Sequence, residues 1–198
     1  MRDSRSYIRT ASGLQVWPLD PRPEDIALED IAHALAMQCR FGGHTLTFYS
    51  VAQHSVMVSK ICSDHQGWAQ AGLLHDAAEA YLGDMLRPLK RQSLGQGYRD
   101  AEHRLLAVIF LRFGLDPLWA ASLPDVVTAA DNWMCGREGR MLMPPDPDWA
   151  RLLAEVEQGG LLGPLIPQDP LSPCGSKQAE ALFLKRFDEL WPGGAPWR

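Results

Sequence analysis

The 198-residue chain carries 46% hydrophobic and 22% charged residues, proportions of a folded protein rather than a disordered one, and its length suits one domain with a sizeable core. A formal net charge of −5 supplies no general basic field for gripping a nucleic-acid backbone. The opening MRDSRSYIRTASG is too polar for a signal peptide, and no apolar run approaches the roughly 18 residues of a membrane span. The expectation is a cytoplasmic protein that engages neither nucleic acid nor membrane.

In YIRTASGLQVWPL, residues 7–19, two short β-compatible runs flank Ala11-Ser12-Gly13 and predict a small hairpin. Residues 24–40 then space Ile31, Ala34 and Leu35 at helical intervals, with acids early and Arg40 at the end, and predict a helix stopped by Gly42-Gly43. A second helix is expected from Ser50, as N-cap, through VAQHSVMVSKI, with Val51, Val58 and Ile61 facing the core. After the loop SDHQG, a third runs from about Trp68 to Tyr81 and breaks near Gly83.

Beyond QSLGQG, residues 98–113 form a long helical pattern with Leu105, Val108, Ile109 and Phe113 on its apolar face. Residues 124–142 form another, with Pro124 suited to the first turn. A Pro/Gly-rich excursion over 144–175 contains the short helical piece DWARLLAEVEQ, and an amphipathic helix over 176–191 packs back through Ala179, Leu182, Phe183 and Phe187. The prediction is a single, mainly α domain over 1–198. Its parts are an N-terminal β-hairpin at 7–19, a helical core at 24–143, the excursion and the last helix.

Cys39, Cys62, Cys135 and Cys174 lie far apart without a CxxC pair, the pattern of free thiols in a reducing compartment. Six histidines remain to be placed. His65 belongs to a polar loop, His103 to a charged helix face, His33 to the edge of the core, and His44 to a segment able to wall a pocket. His54 and His75 differ, because each sits in an apolar helical stretch where a lone imidazole needs a partner.

Asp76 follows His75 directly, about 100° round a helix, and both reach one ion only if it lies between them. Glu79 stands one turn on, and Asp131 is a second acid in an apolar helix, VTAADNWM. His54, His75, Asp76 and Asp131 would form a mixed N/O site suited to a divalent transition metal. Spacing alone leaves structural salt bridges to Arg or Lys as an equal alternative.

The ordered set His54, His75-Asp76 and Asp131, within YSVAQHS and LLHDAAEAYLGDMLRPLK, resembles the signature of the HD-domain metal-dependent phosphohydrolases, a helical-bundle superfamily. The resemblance covers most of residues 29–143. Arg40-Phe41 ahead of His54, the HDxxE at His75-Asp76 and Glu79, then Asp84, Pro88 and Lys90, are similar to bacterial and phage 5′-deoxynucleotidases and small deoxynucleoside triphosphate hydrolases. The chain departs from them in its shorter connection between His54 and His75 and in Phe41, where Trp is usual.

The resemblance implies a divalent ion, Mn²⁺, Co²⁺ or Zn²⁺ with Mg²⁺ also allowed, on His54, His75, Asp76 and Asp131. It implies a small-molecule deoxynucleotide as partner and allows a homo-oligomer. Glu79 would handle protons and Arg40 would clamp phosphate. Asp84 would receive the sugar 3′-hydroxyl, Pro88 would touch substrate, and Phe41 would pack on sugar or base or else belong to the core. Lys90, with Arg87 or Arg91, would reach further phosphates if the substrate is a triphosphate, with a solvated basic turn as the equal alternative. The expected reaction is 5′-dephosphorylation of deoxynucleoside monophosphates, with triphosphate hydrolysis as the alternative. An HD-type di-iron oxygenase would call on His44 or His33, and a non-catalytic nucleotide-binding module would need no metal.

Overall fold

The computed structural model describes residues 6–63, 66–162 and 171–196, so His65 lies outside the described residues. The protein is mainly α-helical, with one small antiparallel hairpin in which β1 (Ile8–Arg9) pairs with β2 (Gln15–Val16). Asp30, buried on α1 (Leu28–Met37), receives the Ser12 amide at 2.8 Å and the Ser12 hydroxyl at 2.7 Å, which ties the hairpin to the helices.

α1 is shorter than its periodicity predicts. A 3₁₀ turn at Pro23–Asp25 precedes it, and Gln38 and Cys39 are extended. Cys39 bridges Ser50 in an antiparallel pair, with Arg40 N–H donating to Tyr49 O at 2.8 Å and Val51 N–H to Gln38 O at 3.0 Å. These bonds use backbone groups that a longer helix would turn along its own axis. The predicted Gly-Gly stop is a left-handed corner in which Phe41, Gly42 and Gly43 have φ of 55°, 61° and 83°. For Phe41, which has a Cβ, that conformation costs on the order of 1–2 kcal/mol.

α2 (Val51–Ile61) runs through the centre, with Val51, Val58 and Ile61 fully buried and Ser50 Oγ accepting the Gln53 amide as its cap. α3 (Gln66–Leu74) lies close against it: a methyl on Gly72 would stand 3.2 Å from Ser59 Cα. The helix expected to continue to Tyr81 stops at Leu74. Ala77 N–H reaches back to Leu74 O, Glu79 N–H to Asp76 O and Ala80 N–H to Ala77 O, a tight turn leading into the short α4 (Glu79–Leu82).

α5 (Arg87–Lys90) occupies the basic stretch, and a 3₁₀ turn at Ser93–Gly95 leads into α6 (Gln96–Arg112). α7 (Asp125–Leu142) begins one residue after Pro124, which caps it rather than entering its first turn. α8 (Pro147–Gln158), the helical piece of the Pro/Gly-rich stretch, seats Trp149 and Leu153 over Gly139 and Gly136 of α7. α9 (Ser176–Leu190) buries Ala179, Phe183 and Phe187, with Leu182 partly buried. Phe187 stacks on Trp191 with ring centroids 4.1 Å apart, and Trp191 Nε1 donates to Phe113 O at 3.0 Å, closing that end of the core. The four cysteines are free thiols. Among the described residues no helix is long and apolar enough to cross a membrane.

Candidate metal centre

α2, the turn after α3, and α7 bring the predicted ligands together. His54 comes from the N-terminal part of α2, His75 and Asp76 from the turn, and Asp131 from the second turn of α7. The ligand atoms of His54, His75 and Asp76 all lie within 4.8 Å of one another. Asp76 Oδ2 is 3.2 Å from His75 Nε2 and 3.8 Å from His54 Nε2. Asp131 Oδ1 is 3.2 Å from His54 Nε2 and 3.8 Å from His75 Nε2.

The break after Leu74 explains how His75 and Asp76 share a target. Gly72 O receives the His75 Nδ1–H at 2.9 Å, where a continuing helix would send it the amide of Asp76. The tight turn then brings the Asp76 carboxylate to the imidazole beside it, without the angular offset expected of adjacent positions in one helix.

Both imidazoles are held at Nδ1. His75 donates to Gly72 O, and His54 donates to Glu138 Oε1 at 2.7 Å. Both Nε2 atoms are buried and neither has a hydrogen-bond partner, although carboxylate oxygens stand 3.2 Å away. Two orphaned nitrogens facing the same two carboxylates suit a shared cation better than paired N–H···O bonds. Metal–ligand bonds of about 2.1 Å would put neighbouring donors about 3.0–3.4 Å apart, close to the observed spacing. The residues present therefore fit a divalent ion.

The electrostatics point the same way. Burial works against a charged His75, but Asp76 and Asp131 overcome it and hold its pKa well above the ordinary imidazole value. Burial likewise opposes ionisation of Asp76 and Asp131, yet the neighbouring imidazoles keep both below the usual carboxylate range. The metal-free cluster thus binds protons where a cation would bind.

Glu79 is 4% exposed, and one of its oxygens is buried without a partner. Burial first, then the charges of Asp76 and Asp84, push its pKa well above the ordinary value. Gln38 Nε2 fixes its backbone by donating to Glu79 O at 3.0 Å. Arg40 lies across the site, donating from Nε to Glu138 Oε2 at 3.1 Å and placing Nη1 3.8 Å from Asp76 Oδ2. Asp84 is half-buried beyond Gly83, and burial followed by repulsion from Asp76 outweighs Arg40 and Lys90 to raise its pKa.

The outer residues divide. Phe41 is half-buried and packs edge-on to Trp149 at 5.6 Å between ring centroids, and the Arg40 guanidinium lies 5.7 Å from its ring centre. Pro88 is exposed on α5. Lys90 is paired with Glu102, and Arg87 donates to Asp131 Oδ2 at 3.1 Å and Asn132 Oδ1 at 2.8 Å. His33 contacts Glu180 at 3.2 Å, and His44 is exposed.

Glu138, Arg87 in its contact with Asp131, and Trp149 are the neighbours that the sequence reading did not single out. Glu138 carried a usable signal: it lies seven residues after Asp131 on one helix, two turns along the same face. Trp149 carried none, because only the packing of α8 on Gly136 and Gly139 brings it to Phe41.

No protein-family model matches the sequence. The chain is 42% identical over 135 residues to an uncharacterized protein of Rhodobacter capsulatus, an overlap covering 65% of this chain and 68% of that protein. It is 35% identical over 185 residues to the uncharacterized protein YfdR of Escherichia coli K12, covering 93% of this chain and 96% of the relative. The shared sequence runs through nearly the whole of both chains, so the protein belongs to the family of Escherichia coli YfdR.

Proposed function

We propose that the protein is a divalent-metal-dependent phosphohydrolase of HD type acting on deoxynucleotides, with 5′-dephosphorylation of deoxynucleoside monophosphates as its main reaction. One observation carries this reading: two buried, unpartnered imidazole Nε2 atoms face Asp76 and Asp131, with the Arg40 guanidinium beside them. His54, His75, Asp76 and Asp131 would hold the ion, which when bound polarises a phosphoryl oxygen and lowers the pKa of water.

The side chains divide the remaining work. Arg40 Nη groups pair with the phosphate oxygens as a charge-assisted fork. Glu79, whose pKa burial and its acidic neighbours raise, donates its proton to the departing 5′-oxygen as the P–O bond breaks. Water supplies the new oxygen on phosphorus, so the products are a deoxynucleoside and inorganic phosphate. Asp84 accepts the sugar 3′-hydroxyl, and Phe41 with Trp149 forms an aromatic wall for sugar or base.

The state of the outer cations favours the monophosphate. Lys90 is engaged by Glu102, and Arg87 by Asp131 and Asn132, so reaching β- and γ-phosphates would mean breaking existing pairs. The di-iron alternative draws less support, because neither His33 nor His44 joins the clustered ligands.

The test is a panel of deoxynucleoside mono- and triphosphates with Mn²⁺ or Co²⁺, read for nucleoside, phosphate and tripolyphosphate. Nucleoside plus phosphate from monophosphates is expected, with at least a hundredfold loss in His75→Ala and Asp76→Ala. Tripolyphosphate release from triphosphates would replace the monophosphate reading. Unchanged turnover in both variants would remove the metal assignment, and two bound irons per chain would redirect it to oxygenase chemistry.

A further inference from the structure

Glu138 is fully buried on α7, and its two oxygens serve different partners. Oε1 receives His54 Nδ1–H at 2.7 Å, and Oε2 receives Arg40 Nε–H at 3.1 Å. Each partner has a second end directed at the metal centre. His54 Nε2 faces Asp131 Oδ1 at 3.2 Å, and Arg40 Nη1 approaches Asp76 Oδ2 at 3.8 Å. We propose that Glu138 is a positioning residue whose single carboxylate, by gripping the far side of both His54 and Arg40, aims a ligand lone pair and a phosphate-binding guanidinium edge at one point.

The physical argument rests on donor inventory. A neutral imidazole carries its proton on either nitrogen, and only the Nδ1–H tautomer leaves Nε2 free to bind metal; an acceptor at Nδ1 selects it. A guanidinium is a rigid plane, so a bond at Nε fixes where its Nη groups point. Both jobs require acceptors, and an ionised carboxylate offers two. A glutamine offers one acceptor and one NH₂ group, so it satisfies only one donor and turns an N–H toward the other.

Glu138→Gln keeps the shape and isolates this difference. Arg40 is always a donor, whereas His54 can switch tautomer. The amide oxygen therefore stays with Arg40, and the imidazole moves its proton to Nε2. The inference rests on reading the site as a metal and phosphate centre, but not on the identity of the nucleotide.

The experiment is calorimetric titration of the full chain with Co²⁺ alone, then of the Co²⁺-saturated protein with inorganic phosphate. It is paired with ¹⁵N NMR of the His54 ring in metal-free protein at alkaline pH. Glu138→Gln should lose about 10- to 100-fold in Co²⁺ affinity and show His54 as the Nε2–H tautomer, where the wild type shows Nδ1–H. Glu138→Ala, if folded by circular dichroism, should also lose at least tenfold in phosphate affinity. Wild-type Co²⁺ affinity with an unchanged tautomer in Glu138→Gln overturns the proposal, whether or not the alanine variant folds. A folded alanine variant with wild-type phosphate affinity overturns its Arg40 half. A wild type that binds Co²⁺ but hydrolyses no deoxynucleotide refutes the substrate reading and leaves the Glu138 assignment standing.

Discussion

Glu79 holds a carboxyl group where charge is unwelcome. It is buried, it faces Asp76 and Asp84, and one oxygen has no partner. Its folded pKa lies well above the ordinary 4.5. The sign of the linkage follows: the folded state favours the protonated form, so its contribution is fully present below pH 4.5 and is lost as pH rises through the raised value. Glu79→Gln mimics the protonated acid at every pH. The variant should be more stable than wild type at neutral pH by on the order of 1 kcal/mol, measured by urea denaturation, and should lose at least a hundredfold in kcat if Glu79 donates the leaving-group proton. Equal or lower stability would contradict the assigned charge state.

At the scale of elements, the sequence was most readable where the period and the caps agree. Ser50 announces α2 and caps it, and the apolar positions of α2 and α9 reach the core as expected. The end of α3 was not readable, because LLHDAAEAYL contains neither Gly nor Pro. The break comes from an imidazole taking the Gly72 carbonyl, a contact that propensity does not encode. The gathering of His54, His75 and Asp76 was legible as an ordered pattern of His and Asp, whereas Trp149 depends on a close approach of α8 to α7. A methyl on Gly139 would stand 2.4 Å from the Trp149 indole. Gly139→Ala should therefore destabilise the protein by about 1–3 kcal/mol, read as a lower denaturation midpoint. Under the proposed function it should also weaken deoxynucleotide affinity by displacing Trp149 from Phe41, and a neutral midpoint would mean α8 yields freely.

For the whole molecule, the candidate metal centre gathers side chains of α2, α7 and the turn after α3, so an ion held by all of them would cross-link three separate stretches of chain. Saturation at about 100 times the dissociation constant should add about 2.7 kcal/mol, raising the melting temperature by roughly 5–10 °C for a chain of this size, with EDTA reversing the shift. Protons compete for the same imidazoles, and His75 keeps its proton to an unusually high pH in the metal-free protein. The metal-induced shift should therefore grow as pH rises toward the raised His75 value and fade on acidification. Differential scanning fluorimetry across pH with and without Co²⁺ checks both the size and the direction, and a shift that grows toward acid would contradict proton competition at the ligands.

The antiparallel bridge between Cys39 and Ser50 has a further consequence. It pins both ends of the segment 40–49, with Arg40 at one foot and Ser50, the cap of α2 four residues before His54, at the other. Between them Gly42, Gly43, His44, Leu46, Thr47 and Phe48 are exposed. Backbone bonds at the feet hold Arg40 N–H to Tyr49 O and Val51 N–H to Gln38 O, and at the tip Leu46 N–H donates to Leu142 O at 2.8 Å, so the arch is tied to the end of α7 as well as closed on itself. An arch fastened at three points leaves its exposed side chains open to exchange while the backbone at Arg40 and at the start of α2 keeps its place.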